Sequence, residues 1–265
     1  MLDALSSDTW SEGPLVSVVM VAYNASRYIA QSIESVLNQT MQSLELVVVD
    51  DGSTDGTRTL VMEYSRRDHR VRYIAQHHSG ITVARNRACE AARGSFIAVL
   101  DADDIAKDRR LELQVQYLTK HDDVGLVAAP VELIDEEGYV LGILQHLSPK
   151  ADVNIALAQF NCIVHSTVMF RTSLWCQLGG YRDYFQAAED YDFFLRLSEH
   201  MRIALLPDVV CQFRIHAGQI TATAIPHVVL CAIAAKAAAL ARRTGMPEPF
   251  CDCRFICRDC LVRAG

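Results

Sequence analysis

The sequence carries no basic excess. Across 265 residues, 25 Lys and Arg face 32 Asp and Glu, a formal net charge of −7. Broad nucleic-acid binding needs a basic surface and is excluded on that balance. A long hydrophobic run is also missing. None reaches the ~18–20 apolar residues of a membrane span, and the nearest, 228–241, is broken by Lys236. The opening MLDALSSDTW lacks the basic start and apolar stretch of a secretory signal. The expected compartment is therefore the cytoplasm, with the nine Cys as reduced thiols. No GxGxxG follows the first apolar stretch, which argues against a nicotinamide-dinucleotide site. A phosphorelay receiver would need an acidic pair after its first strand and a lysine after its fifth. Ala22-Tyr23-Asn24 and Ala129-Pro130 stand there instead. What is present, 51% hydrophobic and 22% charged residues, is the composition of a folded globular chain with ample core.

From residue 15 apolar strands alternate with amphipathic helical stretches. Residues 15–21 and 44–49 are nearly continuous apolar runs, the pattern of strands buried on both faces of a mostly parallel sheet. Between them Asn24-Ala25-Ser26 offers helix caps, followed by Ile29, Ile33, Val36 and Leu37 on one helical face. Ser53 and Thr54 similarly offer caps for a helix carrying Leu60, Val61 and Tyr64. Further strands are expected at 71–75, 96–100 and 124–129, and helices at 81–93 and 108–121. After Pro130 come a hairpin around Asp135-Glu136-Glu137-Gly138, a short helix at 152–160, a strand at 163–170, helices near 172–178 and 189–200, and two short apolar stretches at 202–206 and 209–215. The expected class is α/β with helices flanking the sheet, and a helical and Cys-rich extension from 221.

Three acidic clusters fall at expected strand or helix ends: Asp50-Asp51, Asp101-Ala102-Asp103-Asp104 and Glu189-Asp190. Open α/β sheets bind ligands at the carboxyl ends of their strands. Carboxylates gathered there repel one another unless a cation or hydrogen-bond donors answer them. A hard divalent ion that bridges phosphates is the natural answer.

The blocks VSVVMVAYNASRYIAQSIESVLNQT, ELVVVDDGSTDGT, GITVARNRACEAARGSFIAVLDADD and LGGYRDYFQAAEDYDFFLRL resemble, in order and spacing, those of family-2 glycosyltransferases. The resemblance covers residues 14–220 and implies a GT-A nucleotide-sugar-binding fold. Its nucleotide-binding half would be 14–130, its acceptor half 131–220, and 221–265 an appended helix and tail. It implies an inverting, metal-dependent transfer of a sugar, most often from a UDP-sugar, to a hydroxyl of a saccharide or lipid-linked acceptor in polysaccharide or glycolipid synthesis. By position, Ala22, Tyr23, Asn24 and Asp51 match the pocket for the nucleotide base. Arg85 matches a basic residue lining the donor site. Asp101, with Ala102, matches the residue nearer the ribose or sugar, and Asp103 the holder of Mn²⁺ or Mg²⁺. Asp190 matches the general base. His216 sits where many relatives carry a histidine proposed as a further metal ligand. His165 and Ser166 read as core or turn residues, and Trp175 and Tyr181 as aromatic packing.

Two features depart from the family pattern. Ala22 stands where many relatives have proline. Cys251, Cys253, Cys257 and Cys260 form a C-x-C-x3-C-x2-C run open to Zn²⁺ or thiol chemistry, although usual zinc sites separate two Cys pairs by a longer loop. The stretch 226–243 suits an amphipathic helix resting on the inner face of a membrane, on a second subunit, or in simple internal packing. The alternative to an enzyme is a GT-A-fold protein that keeps nucleotide binding without catalysis.

Overall fold

The computed structural model describes residues 13–219, 225–250 and 256. The four tail cysteines at 251, 253, 257 and 260 lie outside them. Strands β1 (Val16–Ala22), β2 (Leu44–Asp50), β3 (Val71–Ala75) and β4 (Phe96–Val99) alternate with helices α1 (Ile29–Leu37), α2 (Thr57–Arg67) and α3 (Ile81–Glu90). A two-residue β5 (Ile105–Ala106) precedes α4 (Arg110–Lys120), β6 (Val124–Ala128), β7 (Val131–Ile134) and β8 (Val140–Leu144). Then come α5 (Val153–Leu157), β9 (Met169–Arg171), α6 (Thr172–Leu178), α7 (Glu189–Ser198), β10 (Arg202–Leu205), β11 (Cys211–Arg214) and α8 (Ile225–Thr244).

Seven strands form one sheet in the order β10-β6-β9-β4-β1-β2-β3, and β5-β11-β7-β8 form a second. β1, β2, β3 and β4 are mutually parallel, with Ala22 level with Asp50 and Asp50 level with Ala75. That register brings their carboxyl ends to one edge. β9 runs antiparallel between β4 and β6, so residues from beyond Pro130 complete the same sheet. Successive β1 side chains enter opposite layers. Val19 joins one core with Val47, Val49 and Phe170, while Val18 and Met20 join the other with Ile29, Ile33 and Val36. Gly94 is required where the chain meets β1, since an added Cβ would lie 2.6 Å from the Ser17 nitrogen.

The structure corrects several local expectations. Asn24, Ser53 and Thr54 cap no helix. α1 follows Tyr28 and α2 follows Gly56, neither with a side-chain cap. Asn24 instead takes φ 51°, and its Oδ1 accepts from Thr54 N at 2.8 Å, joining the two loops. The expected strand at 163–170 is interrupted by a 3₁₀ turn at His165–Thr167, with Thr167 N donating to Val164 O, so only Met169–Arg171 joins the sheet. α8 is long and apolar enough to cross a membrane by length and composition, despite Lys236. It nevertheless buries Cys231, Ala234, Ala235, Ala238, Ala239 and Ala241 and packs beside α7. Ile225, Val229, Ile233 and Leu240 remain exposed on its outer side.

Candidate active site

The loops after β1 and β2 build one wall. Asp51 is buried, and its carboxylate is answered from the loop before α3. Oδ1 accepts from Ser79 N (2.9 Å) and Gln76 Nε2 (2.6 Å), and Oδ2 from Gly80 N (3.0 Å). His78 Nδ1 lies 2.8 Å from the same Oδ2, and its ring stacks on the half-exposed Tyr23 at 4.2 Å between centroids. Gly52 permits this closeness, with φ 77° and an added Cβ only 2.7 Å from His78 N. The side chains of Ala22 and Ala102 lie in the apolar core. The Ala102 carbonyl accepts from Ser32 Oγ at 2.9 Å, and the Ala22 carbonyl from Asp51 N at 2.9 Å.

The acidic turn after β4 is the second wall. Asp101 N donates to Ser166 Oγ, and Asp101 Oδ1 accepts from Arg85 Nη2, both at 3.0 Å. Burial would raise the Asp101 carboxyl, but Arg85 holds it below the ordinary carboxylate range. Burial, and then the charge on Asp101, push Asp103 up, with His216 opposing. His216 Nε2 is 2.8 Å from Asp103 Oδ2. Because His216 Nδ1 accepts from Gly218 N at 3.2 Å, the ring proton sits on Nε2 and points at Asp103. Asp104 is fully buried. Its Oδ1 accepts from Arg214 N at 2.9 Å, while its Oδ2 has no partner among the described residues. Burial and the neighbouring aspartates push that carboxyl well up. Arg214, itself buried, fixes the turn by donating to the Asp103 carbonyl (3.0 Å) and to Gln31 Oε1 (2.8 Å).

Asp190 stands in the first turn of α7, where the helix dipole favours a negative charge. Its Oδ1 accepts from Tyr191 N at 2.7 Å and its Oδ2 from Asn161 Nδ2 at 3.3 Å. Burial raises the Asp190 carboxyl while Arg85 draws it down. Glu189, beside it, pairs with Arg85 Nη1, yet burial still pushes its carboxyl up to about 7. Burial would strip Arg85 of its proton, but Asp101 and Glu189 together hold it above the usual guanidinium range. One buried guanidinium thus ties the acidic turn after β4 to the start of α7.

Asp101, Arg85 and Glu189 therefore meet directly, as do Asp103 and His216, while Asp190 beside Glu189 feels Arg85 through its charge. Tyr23, Asn24 and Asp51 form a separate wall. His165 and Tyr181 are buried and hydrogen-bonded to each other at 3.0 Å. Gln76, His78, Arg214 and Asn161 are site residues that sequence reasoning missed. Gln76 and His78 precede the GITVARN block, and Asn161 lies in a connection with no motif. None carries a local signal of its contact.

The family model for glycosyl transferase family 2 matches residues 17–178. An uncharacterized glycosyltransferase of Haemophilus influenzae is 34% identical over 217 residues, covering 78% of this chain and 67% of the relative. A chondroitin synthase of Escherichia coli is 35% identical over 199 residues, 74% of this chain but only 28% of the synthase. Among solved structures, S. aureus TarS 1-349 in complex with UDP-GlcNAc gives a TM-score of 0.69 at 21% identity, covering 85% of this chain and 66% of that one. A mannosyltransferase of Pyrobaculum calidifontis, in complex with GDP-Man and Mn²⁺, gives 0.59 at 22% identity over 89% of this chain and 77% of that one. The two structural likenesses carry the GT-A fold alone. The chain belongs to glycosyl transferase family 2 and is a glycosyltransferase.

Proposed function

We propose that this chain moves a sugar from a UDP-sugar to a hydroxyl of a saccharide or lipid-linked acceptor, with inversion at the anomeric carbon, in the synthesis of a cell-surface polysaccharide or glycolipid. The bridging of Asp101 and Glu189 by Arg85 carries this proposal, because it joins the acidic turn after β4 to the residue beside the candidate base Asp190. Tyr23, Asn24 and Asp51 shape the pocket for the base, and Asp101 with Arg85 lines the path to the donor sugar. Asp190 takes the proton from the attacking acceptor hydroxyl as the bond to the nucleoside diphosphate breaks on the other face. The complexes named for TarS and the mannosyltransferase, and the chondroitin synthase kinship, support a nucleotide-sugar donor and a polysaccharide product.

The donor set fits a hard divalent cation. Asp103 Oδ2 and His216 Nε2 already lie 2.8 Å apart, and the neighbouring Asp104 Oδ2 is buried without a partner. Asp103 would hold Mn²⁺ or Mg²⁺, and His216 would join it through Nε2 only on giving up the proton it now points at Asp103. Among the described residues no group of three His, Cys, Asp or Glu side chains could hold an ion alone, so donor oxygens would complete the shell. Bound there, the ion supplies Lewis-acid stabilisation of the departing diphosphate. The outer row Ile225, Val229, Ile233 and Leu240 supports a peripheral membrane or subunit contact, and the enzyme is expected in the cytoplasm.

A thermal-shift panel of UDP, GDP, dTDP and CDP, each with and without Mn²⁺, tests the donor class. Stabilisation by UDP that requires Mn²⁺ is expected. Silence to every nucleotide would favour a non-catalytic scaffold.

A further inference from the structure

The contact between Asn161 and Asp190 assigns a residue to the reaction that the sequence motifs do not. Asn161 lies in the connection between α5 and the 3₁₀ turn at His165–Thr167, between the exposed Phe160 and the buried Cys162 and Ile163. Its amide has a settled orientation. Ile163 N–H donates to Asn161 Oδ1 at 3.3 Å, so the oxygen faces Ile163 and the NH₂ group faces Asp190 Oδ2, also at 3.3 Å. The other Asp190 oxygen is engaged by Tyr191 N–H at 2.7 Å. Each oxygen therefore has one fixed donor and keeps a lone pair free for an incoming hydroxyl.

The titratable groups around Asp190 are Arg85, Asp101, Glu189 and Tyr181, whose phenol burial keeps neutral. Arg85 is already shared between Asp101 and Glu189. That leaves Asn161 as the one neutral side chain among the described residues that donates to the Asp190 carboxylate. A neutral donor there does two things a cation could not do as well. It favours the ionised base without making a salt bridge that would hold the proton acceptor too strongly, and it fixes the carboxylate plane.

We propose that Asn161 is a positioning residue for the base, orienting Asp190 and holding it ionised at the pH where the acceptor hydroxyl must be deprotonated. The proposal rests on Asp190 acting as that base. Phe160 next to Asn161 is 43% exposed while Cys162 and Ile163 are anchored in the core, so the amide is presented from a buried footing.

The test is the pH dependence of kcat/KM for the full-length enzyme, Asn161→Leu and Asn161→Asp, with the melting temperature and UDP affinity of each as controls for folding and donor binding. Asn161→Leu keeps the side-chain bulk and removes the donor. On its acid limb it should lose about tenfold more rate than on its alkaline plateau, the size of one lost hydrogen bond to a charge. Asn161→Asp places a like charge beside the base and should push the acid limb further in the same direction. A profile for Asn161→Leu that superimposes on the wild type, or falls by one factor at every pH, overturns the proposal. Asp190→Asn run alongside separates the two claims. If Asp190→Asn has lost turnover and the Asn161 profiles do not move, only the role of Asn161 fails. If Asp190→Asn still turns over at the wild-type rate, the base assignment fails first.

Discussion

Glu189 is the residue whose charge state couples stability to catalysis. Its folded-state carboxyl is raised from 4.5 to about 7 by burial, against the pull of Arg85. The folded protein therefore holds a proton that the unfolded chain releases. Stability is fullest below the unfolded value and declines as pH rises from about 4.5 through about 7. Urea midpoints across that window should fall with rising pH in the wild type and fall less steeply in Glu189→Gln, the remaining slope coming from the other raised carboxyls Asp103, Asp104 and Asp190. Equal slopes in the two proteins would remove Glu189 as the source. At Asp103 the same scale gives a binding prediction. Asp103→Asn removes the anionic partner of His216 and should weaken Mn²⁺-dependent UDP binding about tenfold or more, read by calorimetry. Unchanged affinity in Mn²⁺ would break the metal assignment.

Among the elements, α7 is the one whose placement decides the site. It is pinned by Asp192, fully buried, which pairs with Arg182 and accepts from Arg196 Nε at 2.9 Å. Arg182 continues to Glu248 at 2.5 Å, beyond α8, so the C-terminal segment braces the loop that leads to Asp190. Asp192→Ala leaves two guanidiniums without their carboxylate and should cost about 3–5 kcal/mol in equilibrium unfolding. A loss under about 1 kcal/mol would mean that α7 is held by its apolar face alone. Elements of this kind were unevenly legible. Buried runs such as VSVVMVA and LELVVVD declare parallel strands, and Ile29, Ile33 and Val36 declare a helix face, because burial on a fixed period leaves a mark in composition. The turn at His165–Thr167 does not, since three polar residues inside the otherwise apolar run 163–170 suit a strand as well and only the Thr167-to-Val164 hydrogen bond decides. The caps misled for a related reason. Asn24 can serve a helix or a neighbouring loop, and Thr54, thirty residues away, won.

In the whole molecule, a net charge of −7 meets an expected donor that is itself an anion. On the proposed reading, the burden of binding it falls on local features rather than on the overall field, above all a cation at the Asp103–His216 pair. The strand-end carboxylates were visible from sequence because two blocks repeat the same event, an apolar strand that stops at an acid. Contacts that cross the fold were not. Arg214 reaches Asp104 over 110 positions, and Asn161 reaches Asp190 over 29, with nothing local to announce either. The carboxyl edge common to β1, β2 and β4 is what turns these separated residues into one site.

The account stands most directly on Asp190. Turnover of a UDP-sugar by Asp190→Asn, measured beside its Mn²⁺-dependent UDP affinity, isolates the proton-accepting step from donor binding. The prediction is a loss of about 100-fold or more in kcat with UDP affinity unchanged. Wild-type turnover in that variant would contradict it.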